Sequence, residues 1–207
     1  MEIITIASAK GGVSKSLLAI NLFDYLKRKG EDTKVLLVDT DKQKSAFEFL
    51  EELKEEDISA VSTEADFDFV LTQAKKAGYN YVVVDTAPSI TPLNAHIIKK
   101  SDRVLIAAKP ARFDIKSVYN IVDLVQQSNV NSCILFTQTV NNSTNTKKNL
   151  DELASIFKKE KMKVLPYHLS HSMVYVNSIN DLKTIFNTKH TKQKIELTEI
   201  YAALLAC

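Results

Sequence analysis

The chain has 207 residues, 45% of them hydrophobic and 25% charged, with a formal net charge of +2. That length suits one packed core, and the composition excludes disordered, fibrous and disulfide-scaffold classes. No apolar stretch approaches the roughly 20 residues needed to span a bilayer, and no charged start followed by an apolar run opens the chain. Cys133 and Cys207 are far apart in sequence and read as free thiols of a reducing cytosol, so a cytoplasmic protein is expected. The charge is unevenly spread. Residues 1–139 carry 17 Lys and Arg against 19 Asp and Glu, whereas residues 140–207 carry 10 against 6. The basic last third fits either a solvated helix surface or a face for nucleic acid.

Short apolar runs alternate with helix-period stretches along the chain. Residues 3–7, 35–38, 81–84, 104–108 and 133–136 read as strands, and their nearly continuous apolar character predicts burial on both faces. The first helix places Leu18, Leu22, Tyr25 and Leu26 on one stripe, with Gly30 as its expected stop. Further helices are expected near 44–53, 67–77, 115–127 and 147–161, with a polar turn over 141–146. The last stripe, Leu197, Ile200, Tyr201, Leu204 and Leu205, predicts a helix docked on the core. Strands alternating with helices imply right-handed parallel crossovers. The expected architecture is an α/β layered fold, with a mostly parallel central sheet and helices on both faces. No repeat or linker interrupts it, so a single domain over 1–207 is expected.

Three segments carry chemistry. After the first strand comes Lys10-Gly11-Gly12-Val13-Ser14-Lys15-Ser16, and a helix begins at once. A strand, a glycine turn and a helix N-terminus make an anion site, because backbone N–H groups and the helix dipole both face the turn. Gly11 and Gly12 allow close approach of phosphate, Lys15 would reach its outer oxygens, and the Ser16 hydroxyl would hold Mg²⁺. The second strand ends in Asp39-Thr40-Asp41, and the third in Asp85-Thr86-Ala87-Pro88. Ligands of open parallel sheets sit beyond the carboxyl ends of the strands, so Lys15, Asp41 and Asp85 should meet there.

These segments resemble the ParA/MinD class of deviant Walker A P-loop NTPases. Residues 10–16 are similar to its Lys-Gly-Gly-Val-Gly-Lys-Thr/Ser motif, residues 38–43 to its Val-Asp-x-Asp-Pro-Gln segment, and residues 84–88 to its Walker B strand. Lys109-Pro110 falls where that family has a proline loop near the nucleotide. The likeness covers residues 2–125 most fully and is greatest to the small plasmid-type ParA proteins. It implies that residues 10–17, from Lys10 to Leu17, bind ATP, with Gln138 and Pro110 near the nucleotide. Ser16, Asp39 and Asp85 would serve Mg²⁺, and Lys10, Lys15 and Asp41 would act in hydrolysis. Lys10 would be the signature lysine, reaching the phosphates of a partner subunit in an ATP-dependent homodimer. The family further implies non-specific DNA binding in the ATP state, nucleoid association, and stimulation by a centromere-binding, ParB-type adaptor. The alternative is a membrane-positioning switch of the MinD kind. The charges of the tail from Lys192 cancel, so its apolar stripe reads as core and no membrane contact is expected.

The sequence departs from that pattern in four places. Ser14 stands where the family has glycine, a costly choice if φ is positive there. Lys42 replaces a proline. Phe136-Thr137-Gln138-Thr139 replaces a segment that offers an Asn near the adenine, leaving Gln138 to supply an amide. No arginine follows Arg112, so any DNA contact in the last third falls to lysines such as Lys183, Lys189, Lys192 and Lys194.

Overall fold

A computed structural model of the chain describes residues 1–140 and 144–207, and the side chains of all of these except 112–116 and 144–146. Among the described residues seven strands form one sheet: β1 (Glu2–Ala7), β2 (Val35–Asp39), β3 (Ile58–Ala60), β4 (Tyr81–Asp85), β5 (Arg103–Ala108), β6 (Asn131–Thr139) and β7 (Lys163–Ser170). Their order is β3-β2-β4-β1-β5-β6-β7, and every neighbouring pair is parallel. The helices are α1 (Lys15–Lys27), α2 (Ser45–Glu52), α3 (Glu64–Lys76), α4 (Pro92–Lys100), α5 (Arg112–Ser128), α6 (Thr144–Lys159), α7 (Met173–Asn180) and α8 (Thr191–Leu205), with a 3-10 turn at Ile185–Asn187.

The pleat divides the core between the two faces. Ile4, Ile6, Val35, Leu37, Val83, Leu105 and Leu135 point to the face covered by α1, α2 and α8. Their neighbours in sequence, among them Leu36, Val38, Val82, Val84, Ile106 and Ile134, point to the face covered by α3, α4, α5 and α6. This is why the central strands read as unbroken apolar runs. In α8, Leu197, Ile200, Tyr201 and Leu204 are all fully buried, and the Tyr201 hydroxyl donates to the Leu18 carbonyl at 2.9 Å. The tail stripe is therefore core, as its charge balance suggested.

Four elements were not legible. β3 has three residues, all half-buried. β7 is the other edge strand, and it contains Pro166, which an edge tolerates because one N–H there faces away from the ladder. α4 and α7 are eight or nine residues long, too short for a clear period. Gly30 does not stop α1. That helix closes at Arg28, with right-handed φ of −79°, whose N–H bonds Asp24. The turn expected over 141–146 is shortened because α6 begins at Thr144, and residues 141–143 lie outside the described residues. The two cysteines, distant in sequence, are neighbours in space. Both are free thiols, Cys133 buried in β6 and Cys207 beside it, and their mutual hydrogen bond pushes Cys133 up and pulls Cys207 down.

Candidate nucleotide site

The sheet order explains the convergence of the motifs. β4 lies between β2 and β1, so the carboxyl ends of three strands stand side by side. Asp85 pairs in register with Asp39 on one side and with Ile6 on the other. Past Ile6 the chain leaves the sheet and turns through residues 8–14 into α1. Thr86 donates its hydroxyl to the Ile6 carbonyl at 2.9 Å, and Thr40 donates both its N–H, at 2.9 Å, and its hydroxyl, at 3.1 Å, to the Asp85 carbonyl. These bonds fasten the three ends together.

The turn is held by Val13, buried in the core, and by the Ser8 hydroxyl donating to the Lys10 carbonyl at 2.7 Å. Gly12 has φ of +68° and Ser14 has φ of 67°. Ser14 therefore pays the expected cost of a non-glycine residue in the left-handed region. Its side chain forms no cap on α1, and the first turn of α1 carries no acid. By contrast Thr63, Thr91 and Ser172 cap α3, α4 and α7 with side-chain oxygens. The first N–H groups of α1 are thus left to an anion.

Lys15 is buried to 7% exposure beside Asp85, Asp41 and Asp39. Burial lowers its pKa and the three carboxylates oppose that shift. Asp39 is satisfied: its two oxygens accept from the backbone N–H groups of Asp41, Ala46 and Phe47 at 2.9, 3.0 and 3.1 Å. It anchors the Asp41 turn and the start of α2, and burial still raises its pKa. Asp41 is half-buried, and its Oδ1 accepts from Gln43 N–H at 3.0 Å.

Asp85 differs from both. It is 1% exposed, and neither carboxylate oxygen has a hydrogen-bond donor in place. Burial pushes its pKa up to about 7. Asp39 and Asp41 add to the rise, while the nearby Ser16 hydroxyl and Lys15 act against it. Both Asp85 oxygens nevertheless stay without a hydrogen-bond donor. Among the described residues no group of three or more His, Cys, Asp or Glu is arranged to hold a metal by itself. Mg²⁺ suits a poorer protein site than that, with one or two protein oxygens plus phosphates and waters. An orphaned buried carboxylate beside Ser16 fits such an ion.

Beside the loop lies a largely apolar cavity of about 310 Å³, lined by Ser14, Leu17, Gln138, His171, Tyr175 and Val176 among others. Gln138 donates its amide to the Gly12 carbonyl at 2.6 Å and to the Ser14 hydroxyl at 3.2 Å. Both amide donors are thus spent on the loop. The structure thus brings together residues 10–17, Asp39, Asp41, Asp85 and Gln138. Pro110 is half-buried at the end of the β5 loop and does not line the cavity.

A match to the CobQ/CobB/MinD/ParA nucleotide binding domain spans residues 4–184. The chain belongs to that family. As a member of it the protein is a nucleotide-binding protein of the ParA/MinD type. It is similar to the maintenance of carboxysome distribution protein A of Gloeobacter kilaueensis, 30% identical over 55% of this chain and 52% of that one. It shares its fold with MinD of Aquifex aeolicus in complex with MinC, at a TM-score of 0.80 and 18% identity over 100% of this chain and 96% of that one. The fold also matches a Borrelia burgdorferi B31 protein assigned to plasmid partition and bound to AMPPNP. There the TM-score is 0.70 and the identity 24%, over 97% of this chain and 98% of that one.

The sequence missed the outer wall of this cavity. That wall comes from the end of β7 and from α7, where no motif flags it. Glu196 of α8 holds it in place, accepting from Ser170 N–H at 2.8 Å, the Ser170 hydroxyl at 2.8 Å and the Tyr175 hydroxyl at 2.9 Å. A glutamate amid the apolar stripe of a helix was the available signal.

Proposed function

We propose that this protein is an Mg²⁺-dependent ATPase that works as a dimeric switch in DNA partition, as one domain over 1–207. The triphosphate lies in the turn of residues 10–16, with Lys15 on its outer oxygens. Ser16 and Asp85 hold the ion, whose charge offsets that of the phosphates. Asp39 keeps the Asp41 turn in position, and Asp41 orients the attacking water. The base occupies the cavity beside Leu17 and Gln138, and Lys10 serves the nucleotide of a second subunit. The observation that carries the nucleotide reading is the unpartnered, buried Asp85 beside Ser16 and Lys15.

The DNA reading rests on the lysines after α7. Lys183, Lys189 and Lys192 are exposed, and they and Lys194 form no ion pair among the described residues. Lysine neutralises phosphate without reading bases, which suits non-specific, salt-sensitive, nucleoid-wide binding. A ParB-type adaptor would then stimulate hydrolysis and release the DNA. Membrane docking is disfavoured because the apolar stripe of α8 is already buried, and no described helix is long and apolar enough to cross a membrane. An electrophoretic shift with ATP and with ADP, at low and moderate salt, tests the DNA reading. A shift with ATP that fades as salt rises is expected, and no ATP-dependent shift at low salt would contradict it.

A further inference from the structure

Lys109 has no part in the functions set out above. It follows β5, which lies beside β1 with Ala7 opposite Ile106, so Lys109 and Lys10 each stand three residues beyond that pair. Its side chain turns toward the P-loop. Its Nζ lies 3.9 Å from the point where a Cβ on Gly12 would sit. It is half-buried, and it makes no hydrogen bond or ion pair among the described residues. A lysine that is not needed by the protein usually extends into water, where its ammonium is fully solvated. This one is held over a loop that leads into the uncapped N-terminus of α1.

The charge balance gives it a purpose. Asp39, Asp41 and Asp85 all lie close enough to Lys15 to act on its charge. A polyphosphate entering beside three carboxylates meets repulsion that Lys15 alone only partly offsets. A second cation beside Gly12 offsets more of it without a second subunit. We propose that Lys109 is a second phosphate-binding lysine contributed by the same protomer, which grips the outer phosphates of the nucleotide before any dimer forms. This rests on the nucleotide site assigned above.

The test uses the full chain, diluted until sedimentation shows only monomer. Dissociation constants are measured with Mg²⁺ for a non-hydrolysable ATP analogue, ADP and AMP, in the wild type, Lys109→Gln, Lys109→Arg and Lys15→Ala. Lys109→Gln should weaken the ATP analogue about tenfold, as expected for a lost charge-assisted contact. It should weaken ADP less and leave AMP within twofold, and Lys109→Arg should recover most of the loss. Unchanged affinity for the ATP analogue would overturn the proposal. So would an equal loss for all three nucleotides, which would mark a general disturbance of the loop, and so would a loss confined to dimer-forming concentrations. Wild type that binds no nucleotide, or Lys15→Ala that binds as tightly as wild type, would instead remove the site reading itself.

Discussion

The amide of Gln138 reaches the hydroxyl of Ser14 across 3.2 Å, and both residues hold left-handed backbone, with φ of 54° and 67°. Two unfavourable conformations face each other and share a hydrogen bond. Each costs on the order of 1 kcal/mol or more unless its surroundings fix it. The same amide also holds the Gly12 carbonyl at 2.6 Å, so the end of β6 fastens the phosphate loop from outside.

Replacing Ser14 with glycine should therefore relieve strain. Glycine gives back part of that gain in unfolded-state entropy, so the expected rise in Tm is about 2 °C for a chain of this size. Calorimetry of the nucleotide-free protein checks it. Gln138→Ala should destabilise the Ser14 protein more than the Ser14→Gly protein, and a double-mutant cycle measures that coupling. Equal costs in both backgrounds would mean that the two side chains do not support each other.

Asp85 predicts an unusual pH dependence. Its folded pKa, near 7, lies above the ordinary carboxyl value of 3.8. Between those values the folded state holds more protons than the unfolded one, so this group makes the nucleotide-free protein less stable as pH rises from about 4 to 7. Asp85→Asn should raise stability by an amount that grows over that window and levels off above it, with a ceiling of about 4 kcal/mol. Urea melts at several pH values read this directly. The same variant should weaken Mg²⁺-dependent nucleotide binding, so that it is stabilised and impaired at once.

Asp41 and Asp39 should separate cleanly. Asp41→Ala removes a half-buried carboxylate that accepts from the Gln43 N–H, so fold and ATP affinity should survive while turnover falls roughly 100-fold. Asp39→Ala removes the acceptor for three backbone N–H groups and should cost several kcal/mol of stability. Steady-state ATPase rates together with denaturant midpoints distinguish the two. A stable, inactive Asp39→Ala protein would show that Asp39 acts chiefly on the reaction.

The centre of the fold was legible because β1, β2, β4, β5 and β6 are buried on both faces and read as apolar runs. The P-loop was legible because glycines, lysines and a helix start occur there in sequence. The register of Asp39 against Asp85 was not, since it depends on β4 lying between β2 and β1, an order no local pattern states. The edge strand β3 was hidden by its three-residue length, and β7 by Pro166 and the exposed residues that interrupt its apolar pattern. The Gln138 contacts and the grip of Glu196 on Ser170 and Tyr175 were hidden because they join residues far apart in sequence. Lys109 was seen only as part of a loop, and its reach over Gly12 appears once β1 and β5 are set side by side.

The signature role of Lys10 has its own prediction. With Mg²⁺ and ATP the protein should sediment as a dimer, and Lys10→Ala should remain a monomer that still binds nucleotide. A variant that dimerises with ATP as well as wild type would remove Lys10 from the interface.

The most direct test is isothermal titration of the protein with ATP and Mg²⁺, alongside Lys15→Ala. The arrangement of residues 10–16 with Asp39, Asp41 and Asp85 predicts one nucleotide per chain for the wild type, and a loss of roughly 100-fold or more in affinity for the variant. Affinity in Lys15→Ala equal to that of the wild type, with both proteins folded, would contradict it.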